Sequence, residues 1–215
     1  MVEVQHRIAA RVAAHLRPGE VVNLGIGIPT LVADFLSPQD GVHLETENGL
    51  LGVGPAPDEG EAHPNIVNAG KLPVTALPGS SFFSSSVSFG LIRGGHVTTA
   101  VLGIVQVDES GRIANWALPG KPILGVGGAM DLLVGAKRVI VASTHTTKDG
   151  TPKMVKQCSA PLSADRPVDL IVTEAATFAV DDDGLMLVEI SEGFTAEWVA
   201  EHTEASYRIA ETLAA

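Results

Sequence analysis

Apolar residues along this chain follow two periods, one typical of helices and one typical of buried strands. Residues 4–16 carry an apolar residue at every fourth position, which predicts an amphipathic helix that Pro18-Gly19 ends. The short apolar run 21–24 is typical of a buried strand, and helical spacing resumes over residues 30–36. The chain is therefore predicted to start with a helix, a strand and a second helix.

The same alternation continues to the end of the sequence. Further strands are predicted at 42–46, 74–77, 98–107, 139–143 and 170–173, and further helices at 128–136 and 195–213. Residues 52–73 are rich in Gly, Pro and acidic residues and are predicted to form a long loop. Asp108-Glu109-Ser110-Gly111 indicates a hairpin turn.

Strands that alternate with short helices predict an α/β fold. We expect a mostly parallel open sheet with helices on both faces, in one domain over residues 1–215. Ligands of such sheets bind beyond the carboxyl ends of the strands. The motifs considered below fall in loops that follow strands.

Composition and charge narrow the class of protein. Hydrophobic residues make up 45% of the 215 residues, enough for a packed core, and the net charge of −11 comes without any basic run that would favour nucleic acid. A single cysteine, Cys158, fits a reducing compartment. No signal-peptide pattern or apolar run of membrane-spanning length is present, so we expect a soluble cytoplasmic protein.

Glu47 is the candidate for covalent chemistry. It follows the predicted strand 42–46 and precedes Asn48-Gly49, which is also a common turn sequence around a solvated glutamate. The alternative interpretation is a nucleophilic carboxylate, a role that Asp and Glu take in covalent catalysis. Glu45 shares a strand face with it and is interpreted as a polar strand residue.

Two glycine loops precede predicted helices. Asn23 to Thr30 includes Gly25 and Gly27, and Gly125 to Asp131 includes Gly127 and Gly128. Each is either a structural turn or a set of backbone amides for an anion, the second loop being suited to an oxyanion. The first loop is not a dinucleotide fingerprint, because Pro29-Thr30 interrupt that pattern.

Several polar residues admit a plain structural interpretation. Lys71 is either a solvated lysine or a cation for a phosphate group. His96 and His145 are interpreted as hydrogen-bonded structural histidines and Cys158 as a small buried residue. The histidines lack any metal-ligand spacing, so no metal is predicted.

Taken in order, these segments resemble a known enzyme family. NLGIGIPTLVADFL at 23–36, ETENGLLGVGP at 45–55, NAGKLPVTALPGSSFF at 68–83, FGLIRGGHVTTAVLG at 89–103, ANWALPGK at 114–121 and GVGGAMDLLVGAKRVIV at 125–141 resemble the β subunit of the succinyl-CoA:3-oxoacid and 3-oxoadipate CoA-transferases. The resemblance spans nearly the whole chain. The E-N-G, R-G-G-H and G-G-A-M-D segments in this order are specific to that family.

The resemblance implies a mechanism and a partner. Glu47 would be the nucleophile that forms a glutamyl-CoA thioester, so coenzyme A is a substrate and covalent intermediate, with no tightly bound cofactor. Asn23, Gly25, Gly27 and Lys71 would contact CoA, and Gly127 and Gly128 would line the oxyanion site. An α subunit of the same fold would complete a heterodimer or heterotetramer, and acyl-CoA and a 3-oxoacid would be the substrates.

Some positions depart from the family pattern. Thr46 stands where Ser is usual, Ser84 where an acidic residue is frequent and Ala117 where Met is common, and Pro122-Ile123-Leu124 also differs. These departures leave the acyl substrate open. The same sheet architecture also hosts sugar-phosphate isomerases, in which a carboxylate acts as a base, and non-catalytic effector-binding proteins.

Overall fold

The computed structural model describes residues 2–117, 120 and 125–213. Four α-helices are α1 (Val2–Ala14), α2 (Ser85–Arg93), α3 (Ala129–Gly135) and α4 (Ala196–Glu201). Short 3-10 helices occupy Ile28–Phe35, Pro38–Asp40 and Glu211–Leu213. The first half of the chain contains strands β1 (Val21–Leu24), β2 (His43–Thr46), β3 (Leu50–Val53), β4 (Ala76–Phe82), β5 (Thr99–Leu102), β6 (Gln106–Asp108) and β7 (Ile113–Ala114). The second half contains β8 (Arg138–Ala142), β9 (Met154–Val155), β10 (Leu170–Val172), β11 (Ala176–Asp181), β12 (Gly184–Ile190) and β13 (Tyr207–Ile209).

One large sheet organises the chain. Its ten strands run in the order β13-β12-β11-β10-β8-β5-β1-β2-β3-β4. The five central strands, from β10 to β2, are mutually parallel, and antiparallel hairpins flank them on both sides. The expected α/β fold with a mostly parallel open sheet is confirmed. The expectation of one domain over 1–215 stays a prediction.

Two hydrophobic cores cover the two faces of this sheet. Alternate residues of one strand point to opposite faces, so Val101 of β5 joins the core under α1 while Ala100 and Leu102 join the core under α3. Ile8 and Val12 of α1 are fully buried. Burial on both faces explains why β5, β8 and β10 are mostly apolar in sequence.

The hairpin prediction around residues 108–111 is confirmed. Gln106 and Val107 of β6 pair antiparallel with β7, and β9 adds a third strand to form a small separate sheet. The predicted strand 98–107 is thereby divided between β5 and β6, which belong to different sheets.

The helix predicted over 195–213 is wrong beyond its first turns. Thr195 caps α4 by accepting a hydrogen bond from the Trp198 amide, and the helix ends after Glu201. Tyr207–Ile209 instead form β13, parallel to β12. The free edge of β12 is a tertiary feature that local spacing does not contain, and pairing with it overrides the helical pattern.

Smaller differences have the same origin. The helix predicted over 30–36 is a 3-10 helix. The strand predicted at 74–77 begins later, as β4. The first two residues of the predicted loop 52–73 belong to β3. Neither α2 nor the hairpin of β11 and β12 was predicted from the sequence. No helix within the described residues is long and apolar enough to span a bilayer.

Candidate active site

The candidate site forms where β1 and β2 end side by side. These strands are parallel, and Asn23 of β1 lies opposite Glu45 of β2. Residues opposite each other in paired strands project from the same face. Glu47 follows directly after β2, so three polar side chains from two strands meet at the carboxyl edge of the sheet.

Asn23 connects the two glutamates. Its Nδ2 donates to Glu45 Oε2 at 2.9 Å and lies 3.3 Å from Glu47 Oε2. Asn23 is fully buried, and its Oδ1 has no hydrogen-bond partner within the described structure. Glu47 is only partly buried, so its carboxylate lies at the boundary between this polar cluster and solvent.

Glu45 is buried, contrary to its interpretation as an ordinary polar strand residue. It is 3% exposed, and its Oε1 accepts a hydrogen bond of 2.6 Å from Ser88 Oγ of α2. Burial raises the pKa of the Glu45 carboxyl, the hydrogen bonds from Asn23 and Ser88 oppose that rise, and the Glu47 charge adds to it. Neither Glu45 nor Ser88 was predicted from the sequence to be a member of the site.

The turn after Glu47 requires glycine. Gly49 has φ 113°, and a Cβ there would lie 1.9 Å from the carbonyl oxygen of Phe83. The Gly49 carbonyl also accepts a hydrogen bond from the Phe83 amide at 2.9 Å. Close packing of two backbones therefore fixes the corner that presents Glu47.

The second glycine loop lies beside Glu47. A Cβ on Gly128 would be 3.7 Å from Glu47 Cγ and 3.1 Å from Cζ of Phe89. Gly127 is exposed, has φ 58° and leaves open space around its Cα. Residues 47 and 128 are far apart in sequence, so their proximity is a tertiary result. The departures at Pro122-Ile123-Leu124 lie outside the described residues.

The first glycine loop is only partly available for a ligand. The Gly25 amide donates to the Val101 carbonyl at 2.8 Å, and a Cβ there would lie 3.0 Å from the same oxygen. Gly25 is therefore needed for close packing against β5. Gly27 is exposed with φ 92°, and nothing lies within 4 Å of a Cβ built on it.

Lys71 lies at a tight turn connected to the Glu47 loop. Its φ of 61° is the left-handed conformation, and its amide donates to the Asn68 carbonyl at 2.9 Å. Asn48 Nδ2 donates to the Val67 carbonyl at 2.9 Å, which ties this turn to the loop that carries Glu47. The Lys71 side chain is exposed.

A cavity of about 430 Å³ lies on the α1 side of the sheet, next to the Lys71 turn. Apolar residues of the 3-10 helix Ile28–Phe35 and of β2 line much of it, together with Thr46, Asn68 and Leu72. Glu45 is among its lining residues and Glu47 is not. The cavity therefore adjoins the carboxylate cluster at Glu45.

The remaining candidate residues lie outside the carboxylate site. His145 is fully buried, with Nδ1 3.0 Å from Thr173 Oγ1 and Nε2 2.9 Å from Thr203 Oγ1, as expected of a hydrogen-bonded histidine. His96 is exposed and its imidazole makes no hydrogen bond to the described residues, so its interpretation as a hydrogen-bonded structural histidine is wrong. Burial raises the pKa of the Cys158 thiol to about 11, which keeps it in the unreactive form.

Comparison with known proteins shows which family this chain belongs to. The coenzyme A transferase family matches residues 5–202. The chain is 47% identical over 213 residues to the beta subunit of acetate CoA-transferase of Escherichia coli, covering 98% of this chain and 96% of that one. It is 44% identical to a subunit of the probable succinyl-CoA:3-ketoacid coenzyme A transferase of Bacillus subtilis, covering 99% of each chain.

A human relative is much longer than this chain. The mitochondrial succinyl-CoA:3-ketoacid coenzyme A transferase 2 is 46% identical over 98% of this chain, which spans 41% of the human protein.

Solved structures share the fold. The acyl-CoA transferase YdiF of Escherichia coli O157:H7 has a TM-score of 0.76 at 22% identity, over 96% of this chain and 42% of that one. Glutaconate coenzyme A-transferase of Acidaminococcus fermentans has a TM-score of 0.71 at 18% identity, over 96% of this chain and 88% of that one. The family match extends over most of the chain, and the chain belongs to the coenzyme A transferases.

Proposed function

We propose that this chain is the β subunit of a CoA-transferase that moves CoA between an acyl-CoA and a 3-oxoacid, with Glu47 as the nucleophile. The observation that carries the proposal is the convergence at Glu47. The Asn23 amide lies 3.3 Å from one carboxylate oxygen, and the Gly128 backbone lies beside the Glu47 side chain. A partly exposed carboxylate between an amide donor and a glycine backbone has the layout of a covalent acyl-transfer site.

The chemistry proceeds through anhydride and thioester steps. Glu47 Oε attacks the thioester carbon of the donor and expels CoA thiolate, which leaves a mixed anhydride. The thiolate then attacks the Glu47 carbonyl carbon and expels the donor carboxylate, which leaves the glutamyl-CoA thioester. The acceptor carboxylate runs both steps in reverse, so the new acyl-CoA leaves and the free Glu47 carboxylate returns.

Backbone and side-chain donors support these steps. We assign the Gly127 and Gly128 backbone amides to the oxyanion of the tetrahedral intermediates, since Gly127 is exposed and Gly128 lies beside Glu47. The Asn23 amide holds one oxygen of Glu47, leaving the other free to attack. Preorganised donors of this kind stabilise charge only where it develops.

CoA contacts are proposed at Gly25, Gly27 and Lys71. Asn23 is fully buried with its Nδ2 facing both glutamates, so its proposed contact with CoA is limited to the thioester carried on Glu47. Lys71 supplies an exposed cation on a turn that is tethered to the Glu47 loop through Asn48. Gly27 supplies an exposed backbone with no neighbouring side chain. Gly25 contributes only the exposed part of its backbone, because its amide already bonds to β5.

A partner subunit is part of the proposal. Two relatives of this chain's length are named as single subunits of a transferase, and the human relative contains a region like this chain in a protein more than twice as long. We propose an α subunit that completes a heterodimer or heterotetramer. The partly exposed Glu47 and the exposed Gly127 are the surfaces on which a partner would close the site. A cytoplasmic location stays a prediction.

The acid acceptor is proposed to be a 3-oxoacid such as acetoacetate or 3-oxoadipate. Relatives of similar identity carry names with acetate and with a 3-ketoacid, so a panel of acids is needed to rank the acceptors. The fold itself does not choose the reaction.

Intact mass spectrometry with peptide mapping tests the proposal. The chain, assembled with its α subunit, is exposed to succinyl-CoA and acetoacetyl-CoA. We expect a CoA-sized adduct on the peptide that contains Glu47, absent in Glu47→Gln. Glu174→Gln is the matched control, because Glu174 also follows a parallel strand at this edge of the sheet.

The outcomes separate the rival functions. Absence of an adduct in the verified complex, with all donors, would overturn the nucleophile assignment. Turnover without an adduct would favour a carboxylate base, as in an isomerase. Full activity of Glu47→Ala in the protein's own assay would favour an effector-binding protein.

A further inference from the structure

Three buried polar side chains from three elements meet behind Glu47. Asn23 on β1, Glu45 on β2 and Ser88 on α2 are 0%, 3% and 0% exposed. Ser88 Oγ donates to Glu45 Oε1 at 2.6 Å, and Asn23 Nδ2 donates to Glu45 Oε2 at 2.9 Å. Burying a carboxylate costs free energy unless it is hydrogen-bonded. The presence of the buried Glu45 carboxyl beside Glu47 therefore indicates a function for it.

The geometry of the Asn23 amide supplies that reason. The Nδ2 atom carries two hydrogens, and two carboxylate oxygens lie within reach, Glu45 Oε2 at 2.9 Å and Glu47 Oε2 at 3.3 Å. One amide group therefore points a hydrogen at each glutamate. Its oxygen, Oδ1, is buried without a hydrogen-bond partner in the described structure.

Because the Asn23 Oδ1 atom has no partner of its own in the described structure, the orientation of the amide must be fixed by the groups that its nitrogen faces. A rotated amide would place Oδ1 against Glu45 and Glu47, and two electronegative oxygens would then face each other at each carboxylate. Glu45 therefore holds the Asn23 amide with its nitrogen toward both glutamates, and Ser88 fixes the other oxygen of Glu45.

We propose that Glu45 is a positioning residue for Glu47, acting through Asn23, with Ser88 as its anchor. The inference rests on the proposed role of Glu47 as the nucleophile. Glu45 itself does not touch the substrate. It fixes the amide donor that holds one oxygen of Glu47 and so keeps the nucleophile in one rotamer for attack.

Loss of this positioning is expected to lower the rate at which Glu47 attacks the donor. Reacting groups that are held in place react faster than groups that must first be ordered, and misplacement of about 1 Å costs about 100-fold in rate. Loss of the Glu45 acceptor frees Asn23 to rotate, and Glu47 then samples other rotamers. Donor binding is made by other parts of the site and is expected to change little.

The test measures the rate of adduct formation on Glu47 in the assembled enzyme, using succinyl-CoA and rapid quenching. Glu45→Leu has a similar volume but no acceptor, and we expect its rate to fall about 10- to 100-fold. The donor KM should stay within about threefold, because uniform substrate binding is unaltered.

Glu45→Gln is the rescue variant. A glutamine oxygen accepts from Asn23 and its amide nitrogen donates to the Ser88 hydroxyl, so the orientation of Asn23 is retained. We expect its rate to return to within about fivefold of the wild type. Ser88→Ala, which removes the anchor alone, should lie between Glu45→Leu and Glu45→Gln.

Asp108→Asn is the matched control for a purely structural role. Asp108 is another buried carboxylate, 2% exposed, at the end of β6 in the small sheet, where it accepts hydrogen bonds from the Ser110 and Arg112 amides. Its loss should lower the melting temperature without changing the adduct rate of the folded enzyme.

Each outcome decides one claim. A wild-type enzyme without an adduct contradicts the proposed function itself. A wild-type adduct with an unchanged rate in Glu45→Leu overturns the positioning role while leaving Glu47 as nucleophile. A rate loss in Glu45→Leu that Glu45→Gln fails to rescue also overturns it, because the acceptor oxygen would not be the feature that matters.

Discussion

Two polar clusters lie at the same carboxyl edge of the sheet and differ in how completely they are hydrogen-bonded. The carboxylate cluster (Asn23, Glu45, Glu47) lies at the ends of β1 and β2 and has two carboxyl groups joined by one amide. The histidine cluster (Ser143, His145, Lys153, Thr173, Thr203) is centred on the residues that follow β8 and β10.

The histidine cluster is fully paired. Both nitrogens of His145 have threonine partners, and Lys153 Nζ donates to Ser143 Oγ at 2.9 Å and to Thr144 Oγ1 at 2.8 Å. In the carboxylate cluster, Asn23 Oδ1 has no hydrogen-bond partner in the described structure and Glu47 remains partly exposed.

The difference indicates that the two clusters at this edge of the sheet have different roles. Buried polar groups with all partners present stabilise a single arrangement. Groups that retain unused hydrogen-bonding capacity and solvent access are those that ligands engage. We therefore assign chemistry to the carboxylate cluster and support of the strand ends to the histidine cluster.

The largest expected effect separates the two clusters by activity. Glu47→Gln removes the nucleophile and should lower kcat of the assembled enzyme at least about 1000-fold, with the melting temperature unchanged because Glu47 is partly exposed. Steady-state kinetics and thermal unfolding measure both quantities.

Lys153→Met in the histidine cluster is the control for Glu47→Gln, with the opposite expected result. It removes two hydrogen bonds from a half-buried ammonium and should lower stability with kcat of the folded enzyme unchanged. A loss of kcat in Lys153→Met as large as in Glu47→Gln, at unchanged stability, would contradict the division of roles.

The second prediction concerns the corner that presents Glu47. Gly49→Ala combines a positive φ with a Cβ 1.9 Å from the Phe83 carbonyl oxygen, so it should destabilise the chain by about 2–4 kcal/mol. Denaturant unfolding measures the free energy. Gly27→Ala is the matched control, since φ is 92° but the space is open, and a cost of about 1 kcal/mol is expected from strain alone.

The third prediction probes the pairing of His145. Thr203→Val is nearly isosteric and leaves the His145 Nε2 without its partner, so the free energy of unfolding should fall by about 1–3 kcal/mol. Thr203→Ser keeps the hydroxyl and should recover most of this loss. Equal stability of the valine and serine variants would show that the hydrogen bond does not matter.

The smallest expected effects are opposite pH dependences of stability in the two clusters. Burial raises the pKa of Glu45 above its ordinary 4.5, so its folding contribution is present at low pH and is lost as pH rises through the raised value. The melting temperature of Glu45→Gln minus that of the wild type should therefore grow from about pH 4 to about pH 7.

At His145 the pH dependence of folding stability has the opposite sign. Burial lowers the pKa of the imidazole from 6.5 to about 4, with the His202 charge adding to the shift. Stability is therefore full above about pH 6.5 and falls as pH drops toward about 4. His145→Gln should reduce that acid loss, as thermal unfolding across this range would show. The same direction of change in both variants would break the comparison.

The sequence predicted the parallel centre of the sheet well. The runs at 21–24, 139–143 and 170–173 are apolar because these strands are buried on both faces, and such runs are visible in any window. The flanking hairpin of β11 and β12 was also signalled, by Asp183-Gly184 between apolar stretches, but it was not recognised.

The candidate site was predicted only in part. Glu47 and Asn23 were named through motifs, and the structure brings them within 3.3 Å of each other. Glu45 and Ser88 were missed as site members because their meeting depends on α2 packing behind β2, and α2 itself was hidden in a serine-rich segment. Ser84, a departure from the family pattern, caps that helix by accepting from the Val87 amide.

The sequence by itself determined the class of fold, the central strands and the carboxylate that carries the proposed chemistry, because these depend on local periodicity and short motifs. The tertiary structure alone decided that Tyr207–Ile209 form a strand, that Gly128 lies beside Glu47 and that Glu45 is buried behind it. Those facts depend on register and packing between segments far apart in the chain. Pairing energies between such segments become available only once the sheet exists, and they then override the local preference.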